Sequence, residues 1–243
     1  MTQLIALVGG KGRDLPGWLD RPAGRGAVRG GIVLAHGAGG TSLTPFIARA
    51  AAGLSSAGWA VLRFNFGYAE AGGRPSRADR ADAPEHTDYR AALAALADAL
   101  PPTAPIVMAG KSYGGRVATF ILAEAASLAA DAGGSDAASD PAVERVRGLL
   151  VFGYPIRPPI KERPADLAAL RAVREPILVV QGSRDSLGPL DALREALEGV
   201  DGADVAVIDG GDHSYRAPGP RAATTRLEDE AVQAAVGWLE ALA

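Results

Sequence analysis

The chain has 243 residues, 48% of them hydrophobic and 22% charged, which is enough apolar content for one well-buried core. With 28 acidic and 25 basic side chains the net charge is -3, so no broad cationic surface exists to draw a phosphate backbone, and nucleic acid is not an expected partner. Cysteine is absent, which removes disulfides, thiolate metal ligands and a thiol nucleophile and fits a reducing compartment.

Taken in chain order, the opening residues lack a cationic n-region and their apolar run is too short for a secretory leader, so Leu4 to Val8 is predicted as a strand. Further strands are expected at Gly31 to Ala35, Trp59 to Phe64, Ile106 to Ala109, Gly148 to Phe152, Ile177 to Val180 and Val205 to Ile208. Between them, apolar residues recur at helical spacing near Pro45 to Ser56, Asp88 to Leu100, Gly114 to Ala126, Leu190 to Leu197 and Arg226 to Leu242. This alternation predicts an α/β fold, a mostly parallel central sheet flanked by helices, in a single domain over residues 1–243. Residues 127–141, rich in Ala, Gly, Asp and Ser, bury little and are expected to form a flexible insertion. No apolar stretch approaches the roughly 18 residues of a membrane span, so a cytoplasmic protein without a membrane partner is expected. The oligomeric state is not legible.

Open α/β sheets bind ligands where the carboxyl ends of their strands meet. At one such end stands Gly110-Lys111-Ser112-Tyr113-Gly114-Gly115, a G-x-S-x-G pattern between strand and helix. A sharp turn there lifts the Ser112 hydroxyl above the sheet, and the glycines make room for it. The other reading of such a turn is a phosphate-cradling loop. That would need a glycine five residues before Gly110, where Pro105 stands, so Lys111-Ser112 is not a Walker pair.

A serine hydroxyl is a weak nucleophile until a base takes its proton. Of the three histidines, His86 lies in a polar stretch and is expected to be solvated, while His36 opens a turn and is expected to make structural hydrogen bonds. His213, beyond the last strand, is the candidate base. An acid must orient it, and Asp185, directly after the strand Ile177 to Val180, is the candidate, with Asp212 as competitor. Donors for a developing oxyanion are expected from the Tyr113 N–H and from His36-Gly37-Ala38-Gly39-Gly40, with Ala38 N–H the choice and Gly37 or Gly39 the alternatives. Together these residues predict acyl transfer needing no metal or cofactor.

The segments His36-Gly37-Ala38-Gly39, Arg63-Phe64-Asn65-Phe66, Gly110-Lys111-Ser112 with Gly114-Gly115-Arg116, Gly153-Tyr154-Pro155, Gln181-Gly182 with Arg184-Asp185, and Gly211-Asp212-His213-Ser214 resemble the α/β-hydrolase superfamily over nearly the whole chain. More narrowly they look like its dienelactone-hydrolase-like group, which includes the testis-expressed and histone-acetyltransferase-complex subunit-3 hydrolase-like proteins. The resemblance implies a sheet without a large cap and supports Ser112, Asp185 and His213 as catalytic residues. Dienelactone hydrolases proper use cysteine where this chain has Ser112, so their substrate is not implied. The expectation is a serine esterase acting on a small carboxylic ester or thioester, and the alternative is a non-catalytic interaction module that keeps the fold. Arg157 and Lys161, in the loop after Phe152, are candidates for binding an anionic acyl group.

Overall fold

The computed structural model describes residues 1–24, 28–131, 140–156 and 164–242. Eight strands form one sheet in the order β1-β2-β4-β3-β5-β6-β7-β8. They are β1 (Thr2–Val8), β2 (Asp14–Asp20), β3 (Gly30–Ala35), β4 (Trp59–Phe64), β5 (Ile106–Lys111), β6 (Val146–Phe152), β7 (Ile177–Gly182) and β8 (Ala203–Ile208). The β1–β2 and β2–β4 pairs are antiparallel and every pair from β4 to β8 is parallel. The expected mostly parallel α/β sheet is thus what the chain forms.

Helices α1 (Pro45–Ser56), α2 (Gly67–Glu70), α3 (Pro84–Asp98), α4 (Tyr113–Asp131), α5 (Pro164–Ala172) and α6 (Leu190–Leu197) lie between strands, and α7 (Arg221–Leu242) follows the last one. One apolar core joins β-strand side chains to α3, α4, α5 and α6, and a second joins them to α1 and α7. Because both faces are covered, all six residues of β3, β4 and β7 are buried, which explains their near-continuous apolar runs. In the second core Phe46 packs on Phe152, with ring centroids 5.2 Å apart, and on Tyr215, 5.0 Å away. Truncating a ring buried like Phe152 to alanine typically costs about 3–5 kcal/mol. That cluster also floors the loop after β8, where the Tyr215 hydroxyl donates to Val180 O at 2.8 Å.

Several expectations need correction. Strand β2 was not anticipated, because Pro16 and Gly17 interrupt its pattern. Pro16 is tolerated because the β2–β4 ladder spans only Gly17 to Asp20. Helix α3 begins at Pro84, where a missing N–H is harmless, and so takes in His86. His86 is not solvated: it is 5% exposed, and its Nε2 donates to Ala78 O at 2.9 Å as the preceding loop folds over it. Glu85 clamps the same loop by accepting from Ser76 N at 2.9 Å. The expected insertion at 127–141 starts as helix, since α4 continues to Asp131, and 132–139 lie outside the described residues. Between β6 and β7 the described residues hold only the short α5. No helix among the described residues is long and apolar enough to cross a membrane.

Candidate active site

The turn from β5 into α4 presents Ser112. Its φ of 52° lies in the left-handed region, a strained conformation for a residue with a Cβ. Two bonds hold it there: Ser112 N donates to Phe152 O at 3.0 Å, and Arg116 N donates to Ser112 O at 3.1 Å. The turn is tight enough that a Cβ at residue 110 would lie 2.3 Å from Gly114 C, and one at residue 114 would lie 2.6 Å from His36 O. Glycine at both positions is therefore steric necessity, which accounts for the spacing of the motif.

The loops after β7 and β8 converge on this serine. His213 Nε2 lies 2.8 Å from Ser112 Oγ, and His213 Nδ1 lies 2.6 Å from Asp185 Oδ2. With Nδ1–H donating to the carboxylate, Nε2 keeps its lone pair for the serine proton. Gly182 permits the two loops to meet, since a Cβ there would lie 2.3 Å from Gly211 O. Asp185 is 3% exposed and well supplied with donors. Its Oδ1 accepts from Leu187 N at 2.8 Å and Gly188 N at 3.2 Å, and Oδ2 accepts from Gln181 Nε2 at 2.7 Å. Asp212 faces elsewhere: its Oδ1 accepts from Ser214 N and Arg216 N, both at 2.8 Å, and so shapes its own turn. Of the two carboxylates, Asp185 is the one on the imidazole.

On the other side of Ser112 passes the loop after β3. A Cβ at residue 37 would lie 3.6 Å from Ser112 Cβ, so the backbone runs close to the hydroxyl, and the following Ala38 is exposed. Tyr113, the first residue of α4, flanks the serine from the helix, where free N–H groups and the helix dipole favour negative charge.

Buried polar side chains of β4 and its extension fix this loop. Asn65 Oδ1 accepts Ser42 N–H at 2.7 Å, and Arg63 Nη1 donates to Ser42 O at 2.8 Å. Arg63 is itself held by Asp20 Oδ2 at 2.7 Å. His36 is structural: its Nε2 accepts Phe66 N–H at 3.1 Å and its Nδ1 donates to Gly37 O at 2.8 Å. Burial holds its pKa below the ordinary imidazole range. The Tyr68 hydroxyl reaches Gly37 O at 3.3 Å, and the Tyr68 ring stacks on Phe66 and meets Tyr113 edge-on. Burial raises the pKa of both tyrosines, keeping their hydroxyls neutral.

Three residues that position this site were not singled out from sequence for that role. Gln181 closes the apolar strand β7 with an amide that also accepts Tyr154 N–H and donates to Gly188 O, each at 2.8 Å. The other two, Arg63 and Asn65, alternate along one strand end. A polar residue inside an otherwise apolar buried run is the signal in each case. Arg157 and Lys161 lie outside the described residues. Among the described residues no group of three or more His, Asp or Glu is arranged to hold a metal ion.

Solved structures share this architecture. An alpha-beta serine hydrolase homologue from Coxiella burnetii matches with a TM-score of 0.66 at 19% identity, covering 96% of each chain. A lid-less serine hydrolase from Xanthomonas campestris matches at 0.66 and 20% identity, covering 98% of this chain and 94% of its own. Dienelactone hydrolase from Anabaena variabilis matches at 0.64 and 22% identity, covering 96% of each chain. Residues 28–240 fit the family model of the alpha/beta hydrolase domain, a stretch that runs from β3 into the last turn of α7 and leaves out β1 and β2. The chain therefore belongs to the alpha/beta hydrolase family.

Proposed function

We propose that the protein is a serine hydrolase that cleaves a small carboxylic ester or thioester through an acyl-enzyme intermediate. The observation that carries this reading is the unbroken hydrogen-bond path from Ser112 Oγ through His213 to the buried Asp185 carboxylate. His213 Nε2 takes the hydroxyl proton as Ser112 Oγ attacks the carbonyl carbon, and Asp185 stabilises the imidazolium that forms. The carbonyl oxygen, now an anion, is held by the N–H groups of Tyr113 and Ala38. The imidazolium returns its proton to the departing alcohol or thiol. Water then adds to the acyl carbon while giving a proton to the same nitrogen, and the imidazolium returns that proton to Ser112 Oγ as the acyl–oxygen bond breaks and the acid leaves.

The exposed loop at Ala38 and the short chain between β6 and β7 favour an open pocket for a small substrate in a cytoplasmic, single-domain enzyme. Arg157 and Lys161 are proposed to select an anionic acyl group. Replacing both with alanine is expected to lower the preference for charged over neutral esters, and an unchanged preference removes that part of the reading.

The deciding experiment is reaction with a fluorophosphonate, read by intact mass, on wild type and Ser112→Ala, followed by a panel of short acyl esters. Wild type is expected to gain one adduct and the variant none, with turnover falling by about 10⁶ in the variant. Labelling of both proteins, or of neither, overturns the proposal and favours an interaction module that keeps the fold.

A further inference from the structure

The lysine inside the serine motif has no part in the mechanism above, yet the fold makes a place for it. Strand β5 ends in Lys111, whose half-buried ammonium donates to the backbone carbonyl of His213. The same Nζ lies 5.6 Å from the centroid of the Tyr215 ring, within the range of a cation–π contact. Glycine at residue 153, with φ of 71°, leaves room beside it: a Cβ there would lie 2.8 Å from Lys111 Nζ and 3.4 Å from His213 Cε1. The ammonium and the imidazole thus face one backbone position from two sides.

We propose that Lys111 is a positioning residue for the base, anchoring through its ammonium the loop that carries His213. The proposal rests on the serine-hydrolase reading. In each half of that reaction the imidazole must meet the same oxygen, Ser112 Oγ, and the ammonium holds the backbone that carries it. The charged groups around the ammonium are Asp185 from the loop after β7 and Asp212 from the loop after β8, with neutral Tyr215 beneath. From the loop after β3, Gly37 lies against the lysine stem, where a Cβ would be 3.8 Å from Lys111 Cγ. Burial pushes the Lys111 pKa down to about 8, against the upward pull of Asp185 and Asp212. The ammonium is therefore mostly charged at neutral pH, where His213 must act.

The test uses the fluorophosphonate labelling rate at neutral pH, which needs no knowledge of the substrate. Lys111→Met is expected to lower that rate roughly tenfold as the loop loses its anchor. Lys111→Arg, which keeps a charged donor for the His213 carbonyl, is expected to recover most of the rate. If methionine prevents folding, Lys111→Gln, whose amide is too short to reach that carbonyl, supplies the same contrast. A rate unmoved in the methionine variant, or lowered equally by arginine, overturns the proposal. Wild type that does not label at all overturns the hydrolase reading instead.

Discussion

On the β7–β8 side of Ser112 the side chains themselves reach the hydroxyl, His213 at 2.8 Å with Asp185 behind it at 2.6 Å. On the β3–β4 side the polar side chains turn away from the serine and grip backbone: Arg63 and Asn65 hold the two peptide groups of Ser42, and His36 holds Phe66 N and Gly37 O. The first side would supply reacting groups. The second would supply oriented amides, which no substitution short of proline deletes and which displacement weakens. Damage on the first side should therefore be close to all-or-none, and on the second it should be graded.

The largest expected effect tests the first half of that contrast. Asp185→Asn turns an amide toward His213 Nδ1 and favours the wrong tautomer, so kcat should fall by about 10⁴ while the fold persists. A fall of less than tenfold on the best ester of the panel breaks the contrast at its stronger end. Next comes Asn65→Ala, which leaves the buried Ser42 N–H without its acceptor. We expect a fall of roughly 10 to 10² in kcat as the Ala38 amide drifts from its position, and a stability loss of about 1–3 kcal/mol by urea titration. A drop as large as that of Asp185→Asn abolishes the distinction between the two sides.

This contrast also explains what was legible in the sequence. Ser112, Asp185 and His213 could be nominated together because the proposed proton transfer demands particular side chains, and each stands within five residues of the end of a strand that is apolar enough to recognise. Choosing between Asp185 and Asp212 rested on chain position, and the turn built by Asp212 Oδ1 supplies the physical reason. Ala38 and Tyr113 are harder, because a backbone N–H has no side-chain signature and only the surrounding glycines mark the place. Arg63 and Asn65 were visible as a motif without a role, since a strand pattern does not tell what a buried guanidinium holds. His86 shows the opposite failure. Its polar neighbours suggest solvent, but Glu85 and His86 spend their polarity on the loop folded above them. Strand β2 escaped because its pairing, not its composition, makes Pro16 acceptable.

Gln181→Met sharpens the side-chain half by removing a donor from Asp185 Oδ2 without touching the imidazole. It also removes the amide that accepts Tyr154 N–H and donates to Gly188 O. About 1–3 kcal/mol of stability should be lost, with a roughly tenfold fall in kcat at unchanged KM. An unchanged kcat would mean that the backbone donors Leu187 and Gly188 orient Asp185 unaided.

The smallest effect concerns the backbone-holding half and appears only on acidification. Burial depresses the pKa of His36 in the folded protein, so as pH falls the unfolded chain takes up that proton first. The stability linked to this group is present above about pH 6.5 and is lost as the pH falls through the folded value. His86 is depressed by the same cause and adds a share of the same sign. His36→Gln keeps a donor and an acceptor but cannot titrate, so the gap between urea midpoints at pH 7.5 and pH 5 should narrow without closing. A gap as wide as that of wild type would place the acid sensitivity entirely elsewhere. Protonated His36 would also lose the lone pair that accepts Phe66 N–H. Acid should therefore loosen the loop beside the serine before it unfolds the sheet, and labelling of Ser112 near pH 5 should fall less steeply in the glutamine variant.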